Sequence, residues 1–158
     1  MKSSKEKYYN ITKNAKSHLN VLNFINLNVS AGKAVDLGCG AGRDTIELLK
    51  HNWNVLSIDK EDTESIIREQ LNQKESENFK FKKCFFGEMN LPKVNLIVAN
   101  FSLPFSKKEF FSDIWKNITN SLSDERVFCW KFFWKKRYMG RNKRKSNIFN
   151  RTRSQSAF

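Results

Sequence analysis

The chain has 158 residues, enough for one domain with a real core, and no apolar run approaches the roughly 20 residues that span a bilayer. The start is charged and lacks the apolar stretch of a secretion signal, and Cys39, Cys84 and Cys129 form no CxxC pair, so the expectation is a reducing cytoplasm with no disulfide framework, no metal and no membrane partner. The net charge of +13 suggests nucleic acid until it is located: ten of the 29 basic residues and none of the 16 acidic ones lie from Cys129 on, leaving about +3 for residues 1–128.

Residues 5–27 read as N-terminal helix in one or two pieces, with Leu19, Val21, Leu22, Phe24 and Ile25 at the apolar positions. Ser30-Ala31-Gly32 is a turn, and Ala34-Val35-Asp36-Leu37 is a short strand running into glycines. Residues 43–51 follow as a helix packed through Ile46, Leu48 and Leu49. Residues 53–58 form a second strand, 63–73 a helix, and 79–86 a third strand bearing Phe79, Phe81 and Phe85. Residues 94–99 are nearly all apolar, the pattern of a parallel strand buried on both faces. Ser106 with Glu109 has the spacing of a capping box, and Phe110, Phe111, Ile114, Trp115, Ile118 and Leu122 recur behind it at helical spacing. Val127-Phe128 opens a fifth strand. The alternation predicts an α/β fold with a doubly wound, mostly parallel sheet.

The chemistry is concentrated where the first strand meets its helix. Gly38, Gly40 and Gly42 are spaced G-x-G-x-G behind Asp36, and without Cβ atoms they let a ligand lie directly against the backbone. The dinucleotide fingerprint places its third glycine one position later, which disfavours a nicotinamide oxidoreductase. Asp59 ends the second strand 21 residues after Gly38, where a carboxylate accepts hydrogen bonds from the ribose hydroxyls of an adenosine.

Residues 35–42, Val-Asp-Leu-Gly-Cys-Gly-Ala-Gly, resemble motif I of the class I, Rossmann-like S-adenosylmethionine (SAM)-dependent methyltransferases. Gly42-Arg43-Asp44-Thr45, Trp53-Asn54-Val55 leading to Asp59, and residues 99–105, Ala-Asn-Phe-Ser-Leu-Pro-Phe, look like the small tellurite-resistance-type methyltransferases. The resemblance covers roughly residues 8–128. It implies a SAM-binding core over 1–128, with Asp36, Gly38, Cys39, Gly40 and Gly42 at the methionine end and Asp59 at the ribose. Glu88 and Met89 would lie at the adenine, and Asn100 beside the transferred methyl. Phe101 and Tyr9 would face the substrate. Asn95 stands where the family usually has Asp, away from the cofactor. The reaction implied is in-line methyl transfer to a small-molecule acceptor, a soft or partly apolar one given Phe101, Leu103 and Phe105, and no catalytic base can be named.

Blander readings stand beside these. Cys39 reads as a small loop residue rather than a nucleophile, and His18 and His51 as surface or helix-end residues. Tyr8 and Tyr9 read as packing or as part of a lid. The alternative functions are an inactive SAM-binding remnant and an RNA-binding or other nucleic-acid-binding protein that uses the basic tail. A nucleic-acid methyltransferase is disfavoured, since no Asn-Pro-Pro-Tyr follows the fourth strand and there is no Pro-Cys nucleophile.

The tail, 129–158, does not match the family and reads as out of frame. Shifting the frame by one base turns Trp130 and Trp134 into Gly and Met139 into Trp whatever the codons. With AT-rich codons, residues 128–139 become Phe-Ala-Gly-Asn-Phe-Phe-Gly-Lys-Lys-Asp-Thr-Trp, which resembles the family's continuation. One extra thymine in the run encoding Val127-Phe128-Cys129 suffices. With the family's last strands lost in this way, the sheet is expected to stop after its fifth strand, with disorder beyond about Arg137. Resequencing the locus is expected to find that run one base shorter. An unchanged run, with salt-dependent RNA binding lost on deleting residues 135–158, would instead identify a functional basic arm.

Overall fold

A computed structural model provides the structure and describes residues 4–131 and 146–150. Two helices, α1 (Ser4–Thr12) and α2 (Leu19–Ile25), precede β1 (Lys33–Leu37). Then come α3 (Arg43–Lys50), β2 (Asn54–Asp59), α4 (Glu64–Arg68), α5 (Gln73–Glu77) and β3 (Phe79–Lys83). β4 (Val94–Asn100), α6 (Phe111–Ser121), β5 (Leu122–Lys131) and β6 (Ser146–Asn150) complete the order. The strands lie as β3-β2-β1-β4-β5-β6, and β1 to β5 are mutually parallel. This is the doubly wound α/β sheet the alternation predicts, Rossmann-like in its strand order. Its order reverses between β1 and β4, and at such a switch point the loops after neighbouring strands diverge and leave a crevice.

Alternating residues of β1 serve the two faces of the sheet. Ala34 belongs to a layer with Val21 and Phe24 of α2, Leu48 and Leu49 of α3, Trp53 and Ile67. Val35 and Leu37 belong to the other, with Ile97, Ala99, Leu103, and Ile114 and Ile118 of α6. β4 contributes to both layers and is buried from Leu96 to Asn100, as its apolar run predicts. At the opposite end of the sheet from the glycines, Asn95 Oδ1 accepts the Lys33 amide at 3.0 Å and ties β4 to the start of β1.

Three local expectations are corrected. The helix expected over 63–73 is two short ones, because Asn72 caps α5. Its side chain accepts from the Glu75 amide at 2.9 Å, and the Glu75 carboxylate accepts from the Asn72 amide at 3.0 Å. Ser106 and Glu109 form no capping box. The Ser106 hydroxyl donates to the Leu103 carbonyl at 2.6 Å, and α6 begins at Phe111 after a 3-10 turn over Lys108–Phe110. The sheet does not stop at β5: β6 pairs antiparallel to it, Val127 opposite Asn150 through Lys131 opposite Ser146. A bare edge offers a row of unpaired amides and carbonyls, and β6 takes them up. Of the 129–158 tail, residues 129–131 and 146–150 are thus in the sheet. The rest, and the disorder expected there, lie outside the described residues. No helix among the described residues is long and apolar enough to cross a membrane.

Phe24 carries the packing of α2 onto the sheet. It is 1% exposed, with its ring centroid 5.6 Å from that of Trp53. Replacing it with alanine is expected to cost about 3–5 kcal/mol, read as a lowered midpoint in urea unfolding.

Candidate cofactor-binding cleft

A cleft of about 780 Å³ opens at the carboxyl ends of β1, β2 and β4, within the range of small-molecule sites. Its floor is the turn between β1 and α3. Gly38, Gly40 and Gly42 all have positive φ, at 72°, 53° and 84°. The three do different work. A Cβ on Gly38 would lie 2.3 Å from the Ser102 Cβ, and one on Gly42 would lie 2.6 Å from the Ile67 Cγ1. Those two glycines let the turn pack against the protein. A Cβ on Gly40 would meet only Tyr9 Cε1, at 3.8 Å, so Gly40 presents open backbone. It lines the cleft, whereas Gly42 does not.

Three buried carboxylates surround this turn. Asp36, at the end of β1, accepts the Thr45 hydroxyl at 2.7 Å, and Thr45 in turn meets the Ser57 hydroxyl at 2.6 Å. Burial, and next the charge of Asp44, push the Asp36 carboxyl up to about 8, the Thr45 hydrogen bond only partly opposing them. Asp59 accepts the Gly40 amide at 2.9 Å and the Glu61 amide at 3.0 Å, which fixes it against the glycine turn. Asp44, in the first turn of α3, accepts Ser17 Oγ at 2.6 Å and the His18 amide at 2.8 Å. It also meets His18 Nδ1 at 2.6 Å and accepts Asn100 Nδ2 at 2.8 Å. Burial alone would raise its carboxyl, but the His18 hydrogen bond and charge, with Asn100 and Ser17, hold it below the usual carboxylate range.

The other expected residues fall unevenly. Cys39 lines the cleft, and burial, then the charges of Asp36 and Asp59, push its thiol well above the ordinary value, which disfavours the thiolate. Tyr9 of α1 also lines the cleft, over Gly40, its hydroxyl pushed up to about 12 by burial and then by Asp59 and Glu61. Glu88 is exposed at the rim. Met89 is corrected: it points into the core beside Leu91 and Val94, 5% exposed, and the cleft wall there is Phe85, Phe86 and Gly87. Asn100 lines the cleft with its amide already engaged, accepting Asn20 Nδ2 at 2.8 Å and donating to Asp44. Phe101 follows with a φ of 58°, a strained conformation for a bulky residue, and its ring lies 5.1 Å from that of His18. Leu103 is fully buried in the core and the Phe105 side chain is outside the described set.

Sequence reasoning missed His18. It stands at a helix end, the N-cap position of α2, but its side chain makes no cap: it is 10% exposed, held between Asp44 and Arg43. No spacing in the chain signals this, because the contacts span 25 and 26 residues. His51 behaves as expected at the end of α3, where Nδ1 meets the Glu47 carbonyl at 2.9 Å. Among the described residues no group of three or more His, Cys, Asp or Glu could hold a metal.

The family model described as "Tellurite resistance protein TehB" matches residues 1–124. The chain belongs to the TehB family. No curated protein matches it. Among solved structures, TehB from Haemophilus influenzae superposes with a TM-score of 0.66 at 24% identity, over 80% of this chain and 45% of that one. A putative SAM-dependent methyltransferase from Methanococcus maripaludis gives 0.67 at 17% identity, over 80% and 61%. The Burkholderia thailandensis 1,6-didemethyltoxoflavin N1-methyltransferase, solved with its substrate and S-adenosylhomocysteine, gives 0.63 at 19%, over 84% and 55%. The chain thus spans less than half the length of the Haemophilus TehB chain.

The Asp36 carboxyl makes stability depend on pH. Between about pH 4 and 8 the folded protein holds a proton that the unfolded chain has released, so stability falls as pH rises through this window. Asp36→Asn removes that dependence. In urea unfolding without ligand, the variant is expected to gain on the wild type as pH rises, with the gap levelling off above about 8.

Proposed function

We propose that the chain binds SAM in this cleft and supports methyl transfer to a small-molecule acceptor. One observation carries the reading: open glycine backbone at Gly40 is ringed by the buried carboxylates Asp36, Asp44 and Asp59. Such a floor suits a ligand that is cationic and needs close backbone approach, and SAM carries a sulfonium and an ammonium. The site fits in a second respect, since Ser102 lines the cleft and its buried hydroxyl has no partner among the described residues.

On this reading Asp36, Gly38, Cys39 and Gly40 hold the methionine end, with Asp36 facing its ammonium. Gly42 acts indirectly, by letting the turn close on Ile67. Asp59 holds the ribose, and Glu88 with the Phe85–Phe86 wall faces the adenine in place of Met89. The bound sulfonium supplies an electrophilic methyl, so the protein's task is alignment and exclusion of water. Asn100 fixes the end of β4, and Phe101 and Tyr9 form apolar walls beside the reacting centre, suited to a soft or partly apolar acceptor. The bound forms of the methyltransferases that share this fold support the cofactor assignment. The family model matches residues 1–124, so a C-terminal segment that departs from the family, leaving binding intact and turnover weak, is part of the proposal.

Isothermal titration with SAM and with NAD tests it. SAM is expected to bind and NAD not to, and Gly40→Val to abolish SAM binding by filling the cleft. Binding of NAD alone overturns the reading. Labelled methyl appearing only on RNA or protein in a lysate overturns the small acceptor.

A further inference from the structure

The cleft contains one cation whose placement is fixed. Lys60 is exposed, and Lys107 is an exposed rim residue 3.8 Å from Glu109. Arg43, the first residue of α3, is half-buried, lines the cleft, and contacts His18 Nε2 through Nη2. Among the described residues it is paired with no carboxylate, although Asp44 is its neighbour in sequence. His18 stands between them. When the ring is neutral, the Asp44 contact favours the tautomer with its proton on Nδ1, and in that tautomer Nε2 presents its lone pair and accepts from the guanidinium. Only one of the five guanidinium N–H groups needs to serve this contact. Without the imidazole, Arg43 would be drawn directly onto Asp44 and its fork consumed.

Resting on SAM as the donor, we propose that His18 is a positioning residue. Braced by Asp44, it aims the Arg43 guanidinium into the cleft as the receptor for the carboxylate of the donor's amino-acid end. The cleft then reads that end as a zwitterion, with Asp36 for the ammonium and Arg43 for the carboxylate. Both lie beside the glycine turn, at the end of β1 and the start of α3. Planar carboxylate is the anion a guanidinium fork fits best.

Decarboxylated SAM keeps the sulfonium, ammonium and adenosine and lacks only the carboxylate, so it isolates this contact. In titration calorimetry on the full chain, the wild type is expected to prefer SAM over decarboxylated SAM by about tenfold or more, the scale of a charge-assisted hydrogen bond. Arg43→Met is expected to abolish the preference while leaving decarboxylated SAM affinity unchanged. His18→Phe keeps a ring beside Phe101 but loses both hydrogen bonds, and is expected to lose most of the preference. His18→Gln returns an acceptor oxygen near the Nε2 position and is expected to restore it.

A His18→Phe variant that weakens both ligands alike would show a merely structural residue and overturn the role. If Arg43→Met keeps the SAM preference but impairs methyl transfer, the guanidinium serves an anionic acceptor and the inference fails. If the wild type binds neither ligand, the cofactor reading itself fails. If it binds SAM and Arg43→Met retains the preference, only this inference does.

Discussion

The Asp44 carboxylate is the fastening on which the site depends. It is buried at the start of α3 and takes hydrogen bonds from the loop before α2, through Ser17 and twice through His18, and from the end of β4 through Asn100. Three pieces of chain remote in sequence meet on two oxygens. A buried anion with so many donors is held ionised, and an ionised buried carboxylate tolerates the loss of none of them cheaply. The N-terminal helices are thereby set against the switch point of the sheet. α1 brings Tyr9 over Gly40, and Lys13 just beyond it reaches Glu69 at 2.7 Å, an exposed pair that contributes little by comparison.

The electrostatics of the cleft follow from strand geometry. Parallel strands bring their carboxyl ends to one edge, so Asp36 at the end of β1 and Asp59 at the end of β2 converge, and α3 adds Asp44 above them. The protein treats the three differently. Asp44 is saturated with donors and held low. Asp59 receives two backbone amides. Asp36 has mainly hydroxyl support and is pushed up. The least compensated carboxylate therefore lies deepest in the turn, where a cationic ligand gains most from meeting it. Strain is stored at the same edge, in the positive φ of Phe101 directly after Asn100.

The far edge obeys a different constraint. β5 continues past the part of the chain that matches the family, and β6 satisfies its outer row of backbone groups. Ladder hydrogen bonds use backbone groups that every non-proline residue carries, so a segment outside the family match can still complete a sheet edge.

The sheet was legible because composition along a strand is a local property: the apolar residues of β1 leading into glycines, and the nearly continuous apolar run of β4, mark strands buried on both faces before any tertiary contact forms. The glycine turn and the two strand-end aspartates were legible for the same reason, since their roles follow from backbone conformation and position along a strand. Met89 was misplaced because a single step along the chain after the 3-10 turn decides between cleft and core, and only packing against Leu91 and Val94 settles it. His18 was invisible because its meaning lies in Asp44 and Arg43, more than twenty residues away. The sequence alone determined the fold class and the floor of the cleft. The tertiary structure decided which remote side chains stand around that floor, because hydrogen bonds between distant segments leave no period in the chain.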